Sequence, residues 1–151
     1  MSGAALIATF FGVGRTPYAP GTAGSLAAAL IAWPVARYCG PWTLAPLGLA
    51  VGLIGIYFAG AYAREMGVGD PKSCVIDEVA GQWIALAAVP ATPLGFLTGF
   101  LLFRFFDISK IWPISAAEKL PGGLGIVADD ILAGIFAAAL VWLFSASGYL
   151  T

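Results

Sequence analysis

The sequence has 151 residues, of which 60% are hydrophobic and only 10% are charged, with a mean hydropathy of +0.93. A soluble domain usually carries about 25% charged residues, so this composition argues against a water-exposed fold and indicates an integral membrane protein. The net charge of -1 argues against a nucleic-acid-binding protein, and the lack of histidine excludes any chemistry that depends on an imidazole.

The first predicted element is an interfacial helix over Met1–Phe11, which is uncharged but too short to cross a bilayer. It lacks the basic start of a secretory signal, so we expect no cleavage. The loop after it contains Arg15 and places Thr22 and Ser25 just before an apolar helix. Helix capping explains the two hydroxyls, but a free helix N-terminus also binds anions, and both interpretations stay open.

Four uncharged runs, 16–36, 38–63, 79–103 and 131–151, are each long enough to cross the hydrocarbon core. The third contains two prolines within four residues, in the segment Val89–Pro93, and such prolines break a helix. We therefore favour a hairpin of two short helices there over a single span.

The distribution of basic residues supports this hairpin. A single span would divide the seven basic residues three against four, whereas a hairpin divides them six against one, as the positive-inside rule requires. All eight acidic residues then share the cytoplasmic face, and only Arg37 faces outward. Cys39 and Cys74 fall on opposite sides, so they cannot form a disulfide, and we expect neither thiol to take part in chemistry.

The predicted fold is therefore an all-α integral membrane protein in a single domain over residues 1–151. It has about three full transmembrane helices, a short Pro-interrupted helical hairpin over 79–106 and the N-terminal interfacial helix. We expect it to be a multi-pass membrane protein.

Five of the eight acidic residues are concentrated in three short motifs; they are Asp77, Glu78, Asp107, Asp129 and Asp130. Two of the motifs, Asp77-Glu78 and Asp129-Asp130, are predicted to place adjacent acids at the start of an apolar helix. One acid at a helix N-terminus is explained by capping and the helix dipole, but a pair of acids at each of two helices is not. Clustered carboxylates repel one another unless a cation lies between them. A hard divalent metal, Mg²⁺, is the simplest such cation, so these five residues are the predicted metal ligands and catalytic groups.

Arg104, Asp107 and Lys110 recur at intervals of three, so they share one helix face if the helix extends that far. A surface ion-pair ladder and contact with lipid headgroups both explain the two cations. The functional interpretation is that Asp107 binds the metal while Arg104 or Lys110 binds a phosphate oxygen.

Four segments together resemble the bacterial phosphatidylglycerophosphatase A family, in the family's order and over most of the chain. They are Ala19–Leu26 (APGTAGSL), Val75–Trp83 (VIDEVAGQW), Phe103–Ile114 (FRFFDISKIWPI) and Gly122–Gly134 (GGLGIVADDILAG). Two positions depart from the family pattern: Ile111 replaces the usual proline after the lysine, and Val127 replaces a methionine. Neither change affects a carboxylate, although the first leaves the backbone after Lys110 less constrained.

The resemblance implies a Mg²⁺-dependent phosphatase of the bacterial cytoplasmic (inner) membrane, with its active site facing the cytoplasm. It would convert phosphatidylglycerophosphate to phosphatidylglycerol in phospholipid biosynthesis. Arg104, Lys110 and Arg15 would hold the phosphate, and Thr22 and Ser25 would orient the headgroup. Direct attack by water and a carboxylate nucleophile both remain open. The only expected partners are membrane lipids and the phospholipid substrate, without an obligate protein partner.

Two alternatives have distinct signatures. A small cation-coupled transporter would require ionisable residues at the bilayer midplane, where the uncharged runs place none. A phosphatase of another glycerolipid phosphate would use the same acidic groups and differ only in substrate.

Overall fold

The computed structural model describes residues 1–149, and these form a bundle of α-helices without β-strands. The helices are α1 (Gly3–Ala8), α2 (Pro20–Cys39), α3 (Leu44–Met66), α4 (Ile76–Leu86), α5 (Pro93–Ser109), α6 (Ile114–Ala117) and α7 (Gly122–Ala146). Short 3₁₀ turns over Val13–Arg15 and Pro41–Thr43 precede α2 and α3. The all-helical prediction is confirmed.

Two helical segments of the described chain are long and apolar enough to cross a membrane. They cover Pro41–Met66, which includes α3, and Gly122–Ala146, which is α7. Both contain about 25 residues, or roughly 38 Å at 1.5 Å per residue, which exceeds the hydrocarbon thickness. Together with the composition, they indicate a membrane protein.

A third full span is not confirmed. The 16–36 run corresponds to α2, which has 20 residues but does not reach the apolarity of α3 and α7. Its sequence accounts for this, because its first two turns contain Pro20, Thr22 and Ser25, and Pro34 and Arg37 lie further along. Insertion of α2 across a membrane stays a prediction.

The 79–103 run forms two helices instead of one, and this confirms the prediction made from its prolines. Helix α4 ends at Leu86, and α5 begins at Pro93 after a turn that contains Pro90. Thr92 caps α5 by accepting a hydrogen bond from the Gly95 amide at 3.0 Å, while Pro93 occupies the first helical turn, where no amide donor is needed. The two helices contact each other along the hairpin.

The centre of the bundle is α4, although it has only 11 residues. It packs against α2, α3, α5 and α7, and nine of its residues are buried. Its neighbours approach closely because they present small residues to it, such as Gly48 of α3, which lies against the Ala80 carbonyl. The position of α4 matters for function because Asp77 and Glu78 lie in its first turn.

The predicted interfacial helix is shorter than Met1–Phe11. Helix α1 has six residues, and it packs on α3 through buried Ala5 and Ala8. Met1 and Phe11, which flank it, are exposed. Its location at a membrane interface stays a prediction.

Candidate active site

The site begins with a close crossing of α4 and α7 at two glycines. A Cβ atom added to Gly134 would lie 2.4 Å from the Gly81 carbonyl oxygen, and one added to Gly81 would lie 2.4 Å from the Asp130 carbonyl oxygen. Only glycine therefore permits this contact between the two backbones. Gly81 lies one turn after Asp77, and Gly134 lies one turn after Asp130, so the crossing brings the acids of the two helices together.

The result is a cluster of three carboxylates. One oxygen from each of Asp77, Glu78 and Asp130 lies within 4.8 Å of the other two. Asp77 and Asp130 are buried, and Glu78 is half-buried. Each residue also has a buried oxygen without a hydrogen-bond partner. Unpaired buried carboxylate oxygens are costly, and their convergence is typical of a site for a cation.

The other two predicted acids are already paired with cations. Asp129 accepts a hydrogen bond from Lys110 at 2.6 Å. Asp107 forms a salt bridge with Arg104 and lies 3.5 Å from the Lys110 ammonium. Asp107 also interacts electrostatically with Asp130 and Glu78, so all five acids share one region. The structure thus divides the predicted ligand set into an unpaired group of three and a paired group of two.

Lys110 connects α5 with α7. It follows the last residue of α5 in a left-handed backbone conformation with φ of 45°. Helix α5 therefore ends at Ser109, and Lys110 does not share a helix face with Arg104 and Asp107 as predicted for a continuous helix. Its side chain still reaches Asp107. Burial lowers the pKa of Lys110, but the hydrogen bond to Asp129 and the nearby carboxylate charges raise it overall. The ammonium is therefore charged at neutral pH and stabilises this packing.

The N-terminus of α2 reaches the same place. A Cβ added to Gly21 would lie 2.7 Å from Glu78 Oε1 and 3.2 Å from the guanidinium nitrogens of Arg104. The Nε of Arg104 is buried without a hydrogen-bond partner. The first amides of a helix have no partner within the helix and carry a partial positive charge. This end of α2, together with Arg104, therefore provides hydrogen-bond donors suited to an anion.

The remaining predicted phosphate-binding residues differ in their placement. Thr22 is half-buried in the first turn of α2, beside Gly21. Ser25 lies one turn further on and is fully buried, with a hydroxyl that lacks a partner. Arg15 is exposed, and it lines a separate cleft that also includes Pro20.

The predicted position of Asp129 and Asp130 was wrong, and the role of Gly81 and Gly134 was not predicted. Asp129 and Asp130 do not lie at the start of α7, because the helix begins at Gly122 and has no acid in its first turn. Helix capping therefore does not explain them. The spacing of Gly81 and Gly134, each four residues after an acid, was the signal that could have identified the helix crossing.

The cysteines take no part in the site's hydrogen bonds. Both are free thiols; Cys39 is exposed at the end of α2, whereas Cys74 is buried. Burial raises the pKa of Cys74, so its thiol stays protonated and is a poor nucleophile.

The fold and this site define a helical protein with an acidic centre and the side chains expected of a phosphate-processing enzyme. The family model of phosphatidylglycerophosphatase A matches residues 6–145. The chain is 41% identical over 140 residues to phosphatidylglycerophosphatase A of Escherichia coli strain K12, covering 91% of this chain and 80% of that protein. The chain belongs to the phosphatidylglycerophosphatase A family of phosphatases.

Two further relatives are similar over nearly the same length. Phosphatidylglycerophosphatase A of Haemophilus influenzae is 40% identical over 139 residues, covering 91% of this chain and 85% of its own. A protein of Bacteroides thetaiotaomicron, named as a putative phosphatidylinositol-3-phosphatase, is 39% identical over 144 residues. The match covers 90% of this chain and 89% of that protein. No solved structure matches the chain.

Proposed function

We propose that this protein removes the terminal phosphate of phosphatidylglycerophosphate, giving phosphatidylglycerol and inorganic phosphate. The observation that carries the proposal is the convergence of three unpaired carboxylates with Arg104 at the N-terminus of α2. Such a site offers oxygen ligands for a cation on one side and donors for a phosphate on the other. Two relatives that carry the name phosphatidylglycerophosphatase A support this choice of substrate.

Mg²⁺ fits the acidic cluster by its donor chemistry. Asp77, Glu78 and Asp130 supply only carboxylate oxygens, which hard divalent cations prefer, and their buried oxygens without partners are suited to coordination. Asp107 and Asp129, the two acids that are paired with Arg104 and Lys110, would support these ligands. When bound, Mg²⁺ would offset the negative charge that develops on the phosphoryl oxygens.

The chain's own residues account for the remaining tasks. The guanidinium of Arg104 and the free amides at the start of α2 hold the phosphate oxygens and orient the ester bond. Lys110 keeps Asp129 and Asp107 in place through an ion pair with each of them. Because these two acids are already neutralised, a carboxylate oxygen of the cluster that does not hold the cation would accept the proton from an attacking water. The same oxygen would return the proton to the glycerol oxygen as the ester P–O bond breaks. A carboxylate nucleophile is the competing route.

The proposed location is the bacterial inner membrane, with several spans and the site at the cytoplasmic face. The two apolar helices support membrane association. The positive-inside rule supports the orientation, because six of the seven basic residues then share the cytoplasmic face with the acids.

A second candidate is hydrolysis of another glycerolipid phosphate. The Bacteroides thetaiotaomicron relative, named for phosphatidylinositol 3-phosphate, favours it, because that protein matches this chain over a similar length. The acidic cluster would act on either phosphomonoester, so the difference would lie in recognition of the headgroup.

One assay decides between these substrates. We expect purified protein in detergent micelles to release phosphate from phosphatidylglycerophosphate at least about tenfold faster than from phosphatidate or phosphatidylinositol 3-phosphate, since specific contacts with a headgroup discriminate by this factor or more. We expect chelation with EDTA to abolish release and added Mg²⁺ to restore it. A faster rate on another lipid would reassign the substrate, and full activity in EDTA would contradict the metal.

A further inference from the structure

A cleft of about 730 Å³ opens beside the acidic cluster. Arg15, Thr16, Tyr62, Lys72 and Ser73 contribute to its wall, and Pro20 lies at its edge. The residue after Pro20 is Gly21, which abuts Glu78 and Arg104. The cleft and the acidic cluster are therefore adjacent along the N-terminus of α2.

The two basic residues of this cleft are not paired with acids. Arg15 and Lys72 are exposed, and within residues 1–149 neither forms a salt bridge. Arg104 and Lys110, by contrast, form salt bridges with Asp107 and Asp129. Asp70 also lines the cleft, but it forms no salt bridge with either cation among the described residues. Arg15 and Lys72 are thus available to an external anion.

The backbone holds these two cations near each other. Gly14 packs so tightly against the Ser73 carbonyl that an added Cβ would lie 1.9 Å from its oxygen. Arg15 directly follows Gly14, and Lys72 directly precedes Ser73. A hydrogen bond of 2.6 Å between the Tyr62 hydroxyl and Ser73 Oγ attaches the same loop to α3. The cations therefore stand on two segments fixed against each other, unlike isolated charges on a mobile surface.

The proposed substrate carries two phosphates, a terminal monoester and an internal diester, on either side of a glycerol unit. The acidic cluster with Arg104 accounts for the monoester only. We propose that Arg15 and Lys72 bind the phosphodiester of the lipid headgroup and so form a second anion subsite next to the reacting one. This inference rests on the proposed function and assigns Arg15 to the diester instead of the reacting phosphate.

The subsite gives a physical basis for substrate selection. Phosphatidate has a monoester but no internal phosphodiester, so it would leave both cations without a partner. Each charge-assisted hydrogen bond to a phosphate contributes more than a neutral one. Arg15 and Lys72 would therefore favour the substrate with two phosphates.

A binding experiment tests the subsite without any need for turnover. The probe is dihexanoyl phosphatidylglycerol, which has the diester but no monoester, titrated by calorimetry into the full-length protein in a nonionic detergent. We expect Arg15→Gln and Lys72→Gln each to weaken binding by roughly tenfold, as for loss of one charge-assisted hydrogen bond.

The control for this titration is Lys119→Gln, which removes the same charge. Lys119 is exposed and lies outside the cleft. We expect its affinity and its melting temperature to match the wild type. Equal weakening in Lys119→Gln would show general attraction to a basic surface and overturn the proposal. Unchanged affinity in both cleft variants would overturn it as well.

A kinetic experiment distinguishes the diester from the reacting phosphate. We expect Arg15→Gln to raise KM for phosphatidylglycerophosphate by about tenfold while KM for phosphatidate and inhibition by inorganic phosphate stay unchanged. An equal rise of KM for phosphatidate would place Arg15 at the monoester and overturn the assignment. If the wild type releases no phosphate from phosphatidylglycerophosphate, the proposed function fails, and the titration with phosphatidylglycerol still decides whether the cleft binds a diester.

Discussion

Replacement of Asp130 by asparagine is expected to reduce Mg²⁺-dependent phosphate release on the order of 100- to 1000-fold. The substitution keeps the size of the side chain but removes the charge of one of the three converging carboxylates. A bound metal contributes several kcal/mol of charge stabilisation, and about 1.4 kcal/mol corresponds to a factor of ten in rate. The measurement is phosphate release from phosphatidylglycerophosphate at saturating Mg²⁺.

A thermal shift separates loss of the metal from loss of the fold. We expect added Mg²⁺ to raise the melting temperature of the wild type, because a ligand that binds only the folded state stabilises it. Asp130→Asn should fold but lose most of this shift. The matched control is Glu65→Gln, which changes an exposed acid whose partner is Ser2. Wild-type turnover and a wild-type Mg²⁺ shift in Asp130→Asn would contradict a cation site at the cluster.

Gly134→Ala is expected to destabilise the protein by about 1–3 kcal/mol and to reduce phosphate release with it. The added methyl group would lie 2.4 Å from the Gly81 carbonyl oxygen, which is part of a helix backbone and cannot rotate away. The helices must separate, as in other overpacked cores, and the separation would move Asp130 away from Asp77. The measurement is thermal unfolding in detergent, followed by the activity assay.

The control for this substitution is Gly3→Ala. Gly3 also lies in a helix, but an added Cβ there would meet no atom within 4 Å. We expect that variant to match or slightly exceed the wild type in stability, because alanine favours helices. A Gly134→Ala protein with wild-type stability and activity would show that the tight crossing is not required.

The helical class and the interruption of the 79–103 run could be predicted because both depend on local chemistry. Long uncharged runs favour membrane helices, and Pro90 and Pro93 break a helix wherever they occur. The number of full spans could not be counted from the absence of charge alone. Helix α2 has the length, but its prolines and hydroxyl residues lower its apolarity.

The acidic residues could be identified from sequence, but their division into two groups could not. Adjacent acids are visible in the chain, whereas the pairing of Lys110 with Asp129 depends on how α5 ends and where α7 passes. Likewise, nothing in the sequence distinguishes Lys72 from other lysines. Its position near Arg15 arises only from the contact between Gly14 and Ser73.

The glycine crossing has a consequence for genetic suppression. When two large side chains collide, a second mutation can usually relieve the clash by shrinking the partner. At this crossing the partner of Gly134 is the backbone of Gly81, which has no side chain to shorten. Selection for restored activity in a Gly134→Ala strain should therefore recover true revertants at position 134, with no compensating change at position 81.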